Sequence, residues 1–137
     1  MTPPDKWLYE YAVVRYMPRP ERGEFINIGL VMLSKRNKWL KGEILIQPEV
    51  IGVFFPKTDF STLITQASIF EKTDVPQKDL PIEEKYRWLT SVKSACLRVS
   101  PSHPGLISAI SDSDCNMSDI LDKEFRRLFD VLVKRLP

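Results

Sequence analysis

Residues 8–46 of the chain are LYEYAVVRYMPRPERGEFINIGLVMLSKRNKWLKGEILI, and the start of the predicted sheet lies in this stretch. Runs rich in aromatic and β-branched residues predict three β-strands, over 8–16, 25–33 and 39–46. The polar connections between them are short, which favours an antiparallel meander. Apolar residues occur on both alternating faces of the first run, so we expect that strand to be covered on both sides. In the second run one apolar face is predicted, formed by Ile26, Ile28, Leu30 and Met32.

The second half of the chain contains helical patterns. Thr58 or Asp59 can cap a helix whose apolar residues recur at helical spacing. Pro81 suits the first turn of another helix, and a continuous apolar stripe predicts a long helix over 119–136. Alternation predicts two more short strands, in 95–100 and 101–110. Together these elements predict an α+β fold: an antiparallel sheet begun by a three-stranded meander, with helices packed on one face and a long C-terminal helix.

Length and composition narrow the class of protein. A chain of 137 residues predicts a single domain. A hydrophobic share of 43% is ordinary for a soluble protein. The net charge of only +2 argues against a dedicated nucleic-acid binder, which would be more basic. We find no signal-peptide pattern and no apolar run of about 20 residues, the length of a membrane helix. We therefore expect a cytoplasmic protein in which Cys96 and Cys115 are reduced thiols.

The first connection, MPRPERGE (17–24), concentrates charge where the backbone is restricted. Pro18 and Pro20 fix their own φ and extend the residues before them, and Gly23 supplies a conformation that other residues adopt at a cost. A stiff loop of this kind can present four charged side chains to a partner or ligand: Arg19, Glu21, Arg22 and Glu24. The alternative is that the prolines end the strand and the charges are merely solvated.

Polar residues inside the predicted strands extend this hypothesis. Arg15 and Asn27 interrupt apolar runs, and Glu10 shares a face with apolar residues. Losing one partner of a buried ion pair costs about 3–5 kcal/mol, so such groups need partners. We expect Arg15 or Arg22 to pair with Glu24 or Glu10, and Asn27 to bond a loop backbone. This network would serve folding, binding or both.

The quoted motif resembles a known family. YEYAVVRYMPRPERGEFINIGLVML (9–33), SVKSACLRVSPSHPGLIS (91–108) and DKEFRRLFDVLV (122–133) are similar to the domain of unknown function numbered 3037. The resemblance implies a bacterial protein with no assigned activity, encoded beside HipA-like kinases, and so a protein partner and an antitoxin-like role in a toxin–antitoxin pair. It also marks the matching positions: Tyr11, Arg15, Tyr16, Arg22, Gly23, Glu24, Phe25, Asn27, Gly29, Arg98, Ser100 and Pro101.

Two alternatives involve nucleic acid. The second turn is basic and carries a tryptophan that could stack on bases, through Lys35, Arg36, Lys38, Trp39 and Lys41. Lysines at such a turn also protect a sheet edge from pairing with other chains. A small Mg²⁺-dependent nuclease would need gathered carboxylates, for which the strands offer Glu10, Glu24 and Glu43.

Other catalytic and metal signals are weak. His103, the one histidine, lies in SPSHPG without a nucleophile elbow, so we expect a surface histidine. Asp112, Asp114 and Asn116 imitate part of a calcium loop, but Met117 replaces the required glycine and Lys123 the final glutamate. We therefore expect no catalytic residue, no metal and no cofactor.

The leading hypothesis is a non-catalytic protein-interaction module. Its binding residues are predicted to be Arg15, Arg19, Glu21, Arg22, Gly23, Glu24 and Asn27.

Overall fold

The computed structural model describes residues 8–72, 79–91, 96–107 and 117–135. In these ranges the strands are β1 (Leu8–Tyr16), β2 (Ile26–Ser34), β3 (Trp39–Ile44), β4 (Leu97–Val99) and β5 (His103–Leu106). The helices are α1 (Pro48–Phe54), α2 (Phe60–Ala67), α3 (Ile82–Thr90) and α4 (Met117–Leu132). Short 3₁₀ turns span Pro20–Arg22 and Ser68–Glu71. None of the described helices has the length and apolar character needed to cross a membrane.

The strands form one antiparallel sheet in the order β3-β2-β1-β4, and β5 also pairs with β1. The N-terminal half of β1 pairs with β5 and its C-terminal half with β4. Between these two partners, the buried Ser100 hydroxyl accepts a hydrogen bond from the Val13 N–H at 2.9 Å. The predicted α+β class and the opening three-stranded meander are confirmed.

A β-bulge divides β2 into two halves. The register of β1 and β2 shifts between Val14 and Arg15, where Ile28 is an extra residue of β2. One extra residue reverses the face on which the following side chains lie. The prediction of a single apolar face on this strand is therefore wrong, because its residues divide between two cores: Ile26 and Ile28 in one, Leu30 and Met32 in the other.

One face of the sheet is covered by α2 and α3. The buried residues that join the helices to the strands there include Val14, Val31, Leu33, Leu63, Phe70, Tyr86 and Leu89. Asp59 caps α2 as predicted, since its carboxylate accepts a hydrogen bond from the Thr62 N–H at 3.2 Å. Pro81 precedes α3 directly, as its sequence position indicates.

The opposite face of the sheet is covered by α4. This helix buries Leu121, Phe125, Leu128 and Phe129 against strand residues that include Tyr9, Val13, Leu30 and Met32. Helices therefore lie on both faces and not on one, which satisfies the two apolar faces of β1. The helix ends at Leu132, whereas the sequence pattern predicts an end at residue 136.

The outer edge of β3 is crossed by the turn Ser68–Glu71. A Cβ added to Gly42 would lie 1.9 Å from the Phe70 carbonyl oxygen, so the close crossing requires glycine there. The Ile44 N–H donates to a Glu71 carboxylate oxygen at 3.3 Å. This crossing occupies part of the edge that the lysines of the second turn were expected to protect.

Candidate functional site

The reversal 17–24 is a defined turn. Its middle, Pro20–Arg22, closes where the Gly23 N–H donates to the Pro20 carbonyl oxygen at 3.1 Å. Gly23 has φ 70°, a left-handed conformation that favours glycine. At the start of the reversal the Met17 N–H donates to the Cys96 carbonyl oxygen at 2.7 Å. Backbone hydrogen bonds therefore shape the reversal, in agreement with the stiff loop predicted from its prolines and glycine.

The four charged side chains of the reversal pair with one another and not with the strands. Arg22 Nε lies 2.7 Å from a Glu24 oxygen, and Arg19 lies 3.6 Å from Glu21. More than half of each side chain is exposed. Exposed pairs of this kind contribute about 0–1 kcal/mol to stability. The charges are therefore presented to solvent, and the expected Arg22–Glu24 pair is present.

Arg15 lies beneath the reversal without a carboxylate partner among the described residues. Its guanidinium stacks on the Phe25 ring, 4.3 Å from the ring centroid. Its Nε is buried and has no hydrogen-bond partner there. The expected ion pair of Arg15 with Glu10 or Glu24 is absent, because the stacking on Phe25 replaces it.

Asn27 fastens the end of α4 to the sheet. The bulge places Asn27 opposite Arg15, and its amide nitrogen donates to the Leu132 carbonyl oxygen at 3.1 Å. Leu132 is the last residue of α4, where carbonyl groups lack helical partners. Asn27 therefore bonds a backbone group, as predicted, although the group belongs to a helix end. Lys134 and Arg135 follow it and lie beside the reversal.

Sequence reasoning missed helix α1 and the corner that follows it. The segment PEVIGVFFP (48–56) carries the signal, a proline at the first helical position and another after the helix end. The Phe55 ring packs edge-on against Tyr16, with 5.7 Å between centroids, and the Tyr16 hydroxyl donates to Thr58 at 3.1 Å. These contacts fix the corner to the end of β1 and leave Phe54 facing solvent, 66% exposed.

Two hollows lie between the reversal, the α1 corner and the end of α4. The first, of about 340 Å³, lies between Pro18, Arg22 and the segment 54–58. The second, of about 720 Å³, lies between Phe25, Val50 and Arg135. Both include Glu24, Phe54 and Phe55 in their walls. We call this region, residues 16–26, 47–58 and 134–135, the reversal surface.

Cations exceed carboxylates on the reversal surface. The side chains that line the hollows include one carboxylate, Glu24, and five cations: Arg19, Arg22, Lys57, Lys134 and Arg135. Glu21 and Glu49 also lie in these ranges, and Asp130 pairs with Lys134, which raises the carboxylates to four. The remaining excess is one positive charge.

The residues of the basic second turn have two different environments in the fold. The Trp39 ring packs edge-on against Phe125, with 6.3 Å between centroids, and Lys41 Nζ lies 3.1 Å from an Asp122 oxygen. Both side chains therefore contact α4 and are partly exposed. Lys35, Arg36 and Lys38 remain exposed. Two of the five residues of the predicted nucleic-acid patch therefore contact α4, and the patch as a nucleic-acid site stays a prediction.

The three carboxylates named for the nuclease alternative each have a partner. Both Glu43 oxygens accept hydrogen bonds from the Arg126 guanidinium, at 2.8 and 2.9 Å, which holds the pKa of Glu43 below its usual range. Glu10 accepts a hydrogen bond from the Ser102 hydroxyl at 3.2 Å, and Glu24 pairs with Arg22. Within the described ranges, no three His, Cys, Asp or Glu side chains are grouped so that they could hold a metal ion.

Two tyrosine networks escaped sequence reasoning. The Tyr9 hydroxyl donates to Glu124, which also accepts from Arg127 at 2.7 Å; burial raises the pKa of Tyr9, and the Glu124 hydrogen bond adds to it. The Tyr86 hydroxyl and the Ser102 hydroxyl are 2.7 Å apart, and burial raises the pKa of Tyr86 to about 12. Both networks join elements distant in sequence, so no local pattern indicates them.

The remaining predictions concern single residues. His103 is exposed in β5, and its ring centroid lies 5.4 Å from that of Tyr11. Cys96 is a free thiol. Cys115 and the calcium-like positions Asp112, Asp114 and Asn116 lie outside the described residues.

Some motif positions have packing roles. A Cβ added to Gly29 would lie 2.8 Å from the Glu43 carbonyl oxygen, so the bulged strand needs glycine there. The buried Ser100 hydroxyl also donates to the Pro101 carbonyl oxygen at 3.0 Å. Arg98 lies directly opposite Arg15 in the β1–β4 pair.

Comparison with models of protein families gives a match over most of the chain. The model of a family described as "Protein of unknown function (DUF3037)" matches residues 11–133. No curated protein and no solved structure matches the chain.

Proposed function

The chain belongs to the DUF3037 family of proteins of unknown function, and we propose that it is a non-catalytic, cytoplasmic protein-interaction module. Its partner in this proposal is a HipA-like kinase encoded beside it, to which it is an antitoxin-like companion. The kinase is proposed from the family resemblance, and the reversal surface is proposed as the site of contact. The module works by presenting a fixed surface, and it needs no metal or cofactor for this.

The observation that carries the proposal is the exposed aromatic ring of Phe54 on a rigid frame. Large apolar side chains scattered singly over a surface are ordinary, but grouped ones mark interaction sites. Here Val53 is 76% exposed, Phe54 66% and Phe25 41%, and Phe54 and Phe25 both line the second hollow. Pre-formed surfaces bind at a lower entropic cost than surfaces that must become ordered.

The nuclease alternative gains no support from the site. A two-metal or one-metal active site needs carboxylates that converge with free oxygen ligands. Glu43 is bonded by a guanidinium through both oxygens, and Glu10 and Glu24 have other partners. We therefore propose no catalytic function.

Co-purification tests the proposal. The full chain is produced together with the tagged HipA-like kinase encoded beside it, and the two proteins are quantified after affinity purification. We expect R19E/R22E to lose the kinase with a melting temperature close to that of the native protein, because both arginines are exposed. The matched control K35E/K38E, at the opposite turn, should retain the kinase. Equal recovery of the kinase by both double variants would reject the proposed contact.

A further inference from the structure

The two hollows of the reversal surface are neighbours that share wall residues. They meet at Phe54 and Phe55, which belong to the walls of both. Other apolar side chains in the walls are Pro18 and Pro56 in the first hollow and Ile26 and Val50 in the second. Each hollow can therefore accept a bulky apolar side chain, with the Phe54 ring between the two.

The positive charges at the rim of the two hollows favour a negatively charged ligand. Lys57 borders the first hollow and Arg135 the second, and both are exposed. Neither forms an ion pair with a described carboxylate, in contrast to Arg19, Arg22 and Lys134. Carboxylates of a bound molecule could pair with Lys57 at the first hollow and with Arg135 at the second.

We propose that the reversal surface binds an acidic segment of a partner protein that carries two bulky apolar side chains. One apolar side chain enters each hollow, and acidic residues of the segment face Lys57 and Arg135. This inference rests on the proposed function and adds the chemistry of the partner. A nucleic-acid backbone would satisfy the cations but leave the apolar floors of both hollows empty, so a peptide fits better.

Fluorescence anisotropy with a synthetic probe tests the inference. The probe is a short labelled peptide of aspartate and glutamate containing two phenylalanines. Two comparison peptides replace the phenylalanines by serine or the acidic residues by lysine, and a labelled single-stranded oligonucleotide is the fourth probe. We expect the acidic, phenylalanine-containing peptide to bind the native full chain at least about tenfold more tightly than the other three.

Paired variants locate the binding. F54A should weaken binding of the acidic probe about tenfold or more, whereas I64A, which shortens another exposed apolar side chain on α2 (53% exposed against 66%), should not. K57E/R135E should also weaken binding and reduce its dependence on salt, in contrast to the control K35E/K123E on other exposed positions.

Three results would overturn the inference. Equal binding of the acidic and basic peptides would exclude charge selection, and tighter binding of the oligonucleotide would assign the surface to nucleic acid. A dimer of the native chain in sedimentation velocity that F54A dissociates would assign it to a second copy of the chain. If the kinase co-purifies through Arg19 and Arg22 while the probe shows no preference, this inference fails and the proposed function stands. The reverse pattern rejects the kinase contact alone.

Discussion

Replacing Glu43 by glutamine tests whether this carboxylate is structural. In the native protein it accepts two hydrogen bonds from Arg126 and thereby joins β3 to α4. Glutamine has nearly the same shape but removes the charge and one of the two acceptors. A nuclease would lose activity with this change, whereas the structure predicts a loss of stability.

The size of the loss follows from the exposure of the pair. The Glu43 side chain is 28% exposed and that of Arg126 is 42% exposed, so the pair lies between a surface pair and a buried one. Exposed pairs contribute about 0.2–1 kcal/mol, and the two parallel hydrogen bonds place this pair at the upper end. We expect E43Q to lower the free energy of unfolding by about 1 kcal/mol, or the melting temperature by about 3–5 °C in a chain of this length.

A double-mutant cycle isolates the interaction. Unfolding free energies of the native protein, E43Q, R126Q and the double variant are measured in urea. The cycle is needed because Arg126 also lies over the Phe129 ring, 5.1 Å from its centroid. We expect a coupling energy near 1 kcal/mol between the two positions.

The same pair predicts a pH dependence. Arg126 lowers the pKa of Glu43 in the folded protein relative to the unfolded chain. The stabilisation is therefore complete above the unfolded pKa, about 4.3, and is lost as the pH falls through the lower folded pKa. The difference in stability between native protein and E43Q should shrink in that acidic range. A coupling energy near zero, or a Mg²⁺-dependent nuclease activity lost in E43Q at unchanged stability, would refute the structural role.

Three further predictions concern the frame of the reversal surface and the fold. G42A should destabilise the protein by about 1–3 kcal/mol or more in urea unfolding, because the added Cβ would collide with the backbone that crosses β3. The control G52A lies in open space on α1 and should be neutral or stabilising. Equal effects of the two substitutions would contradict the crossing. R15M should cost less than about 2 kcal/mol, since stacking on Phe25 and not an ion pair holds Arg15; a loss of about 3–5 kcal/mol would restore the buried-pair interpretation. D59A should lower the melting temperature by removing the α2 cap, and an unchanged melting curve would contradict it.

Local pattern predicted the strands and most helices because alternation and helical spacing record which side chains are buried. The stripe of α4 and the Asp59 cap are examples. The pattern did not show which face of the sheet α4 covers, because an apolar stripe does not identify its partner. It also could not show the bulge at Ile28, since an extra apolar residue in an apolar strand leaves the composition unchanged.

Only the part of the candidate site that depends on local geometry was predicted from the sequence. The prolines and glycine of 17–24 specify local backbone geometry, and the structure forms the turn. The opposite wall comes from the α1 corner, which is distant in sequence and is held by contacts of Tyr16 with Phe55 and Thr58. Partners of Arg15 and Glu43 were mistaken or missed because pairing across a sheet or onto a helix depends on register.

Hydrogen exchange measured by mass spectrometry can show directly whether the reversal surface is the site of contact with the partner. The free full chain is compared with the full chain mixed with the proposed partner, the tagged HipA-like kinase. We expect slower amide exchange in the mixture within residues 17–24 and 53–58, with little change in the basic turn 34–38. Protection confined to 34–38, with 17–24 and 53–58 unchanged, would contradict it.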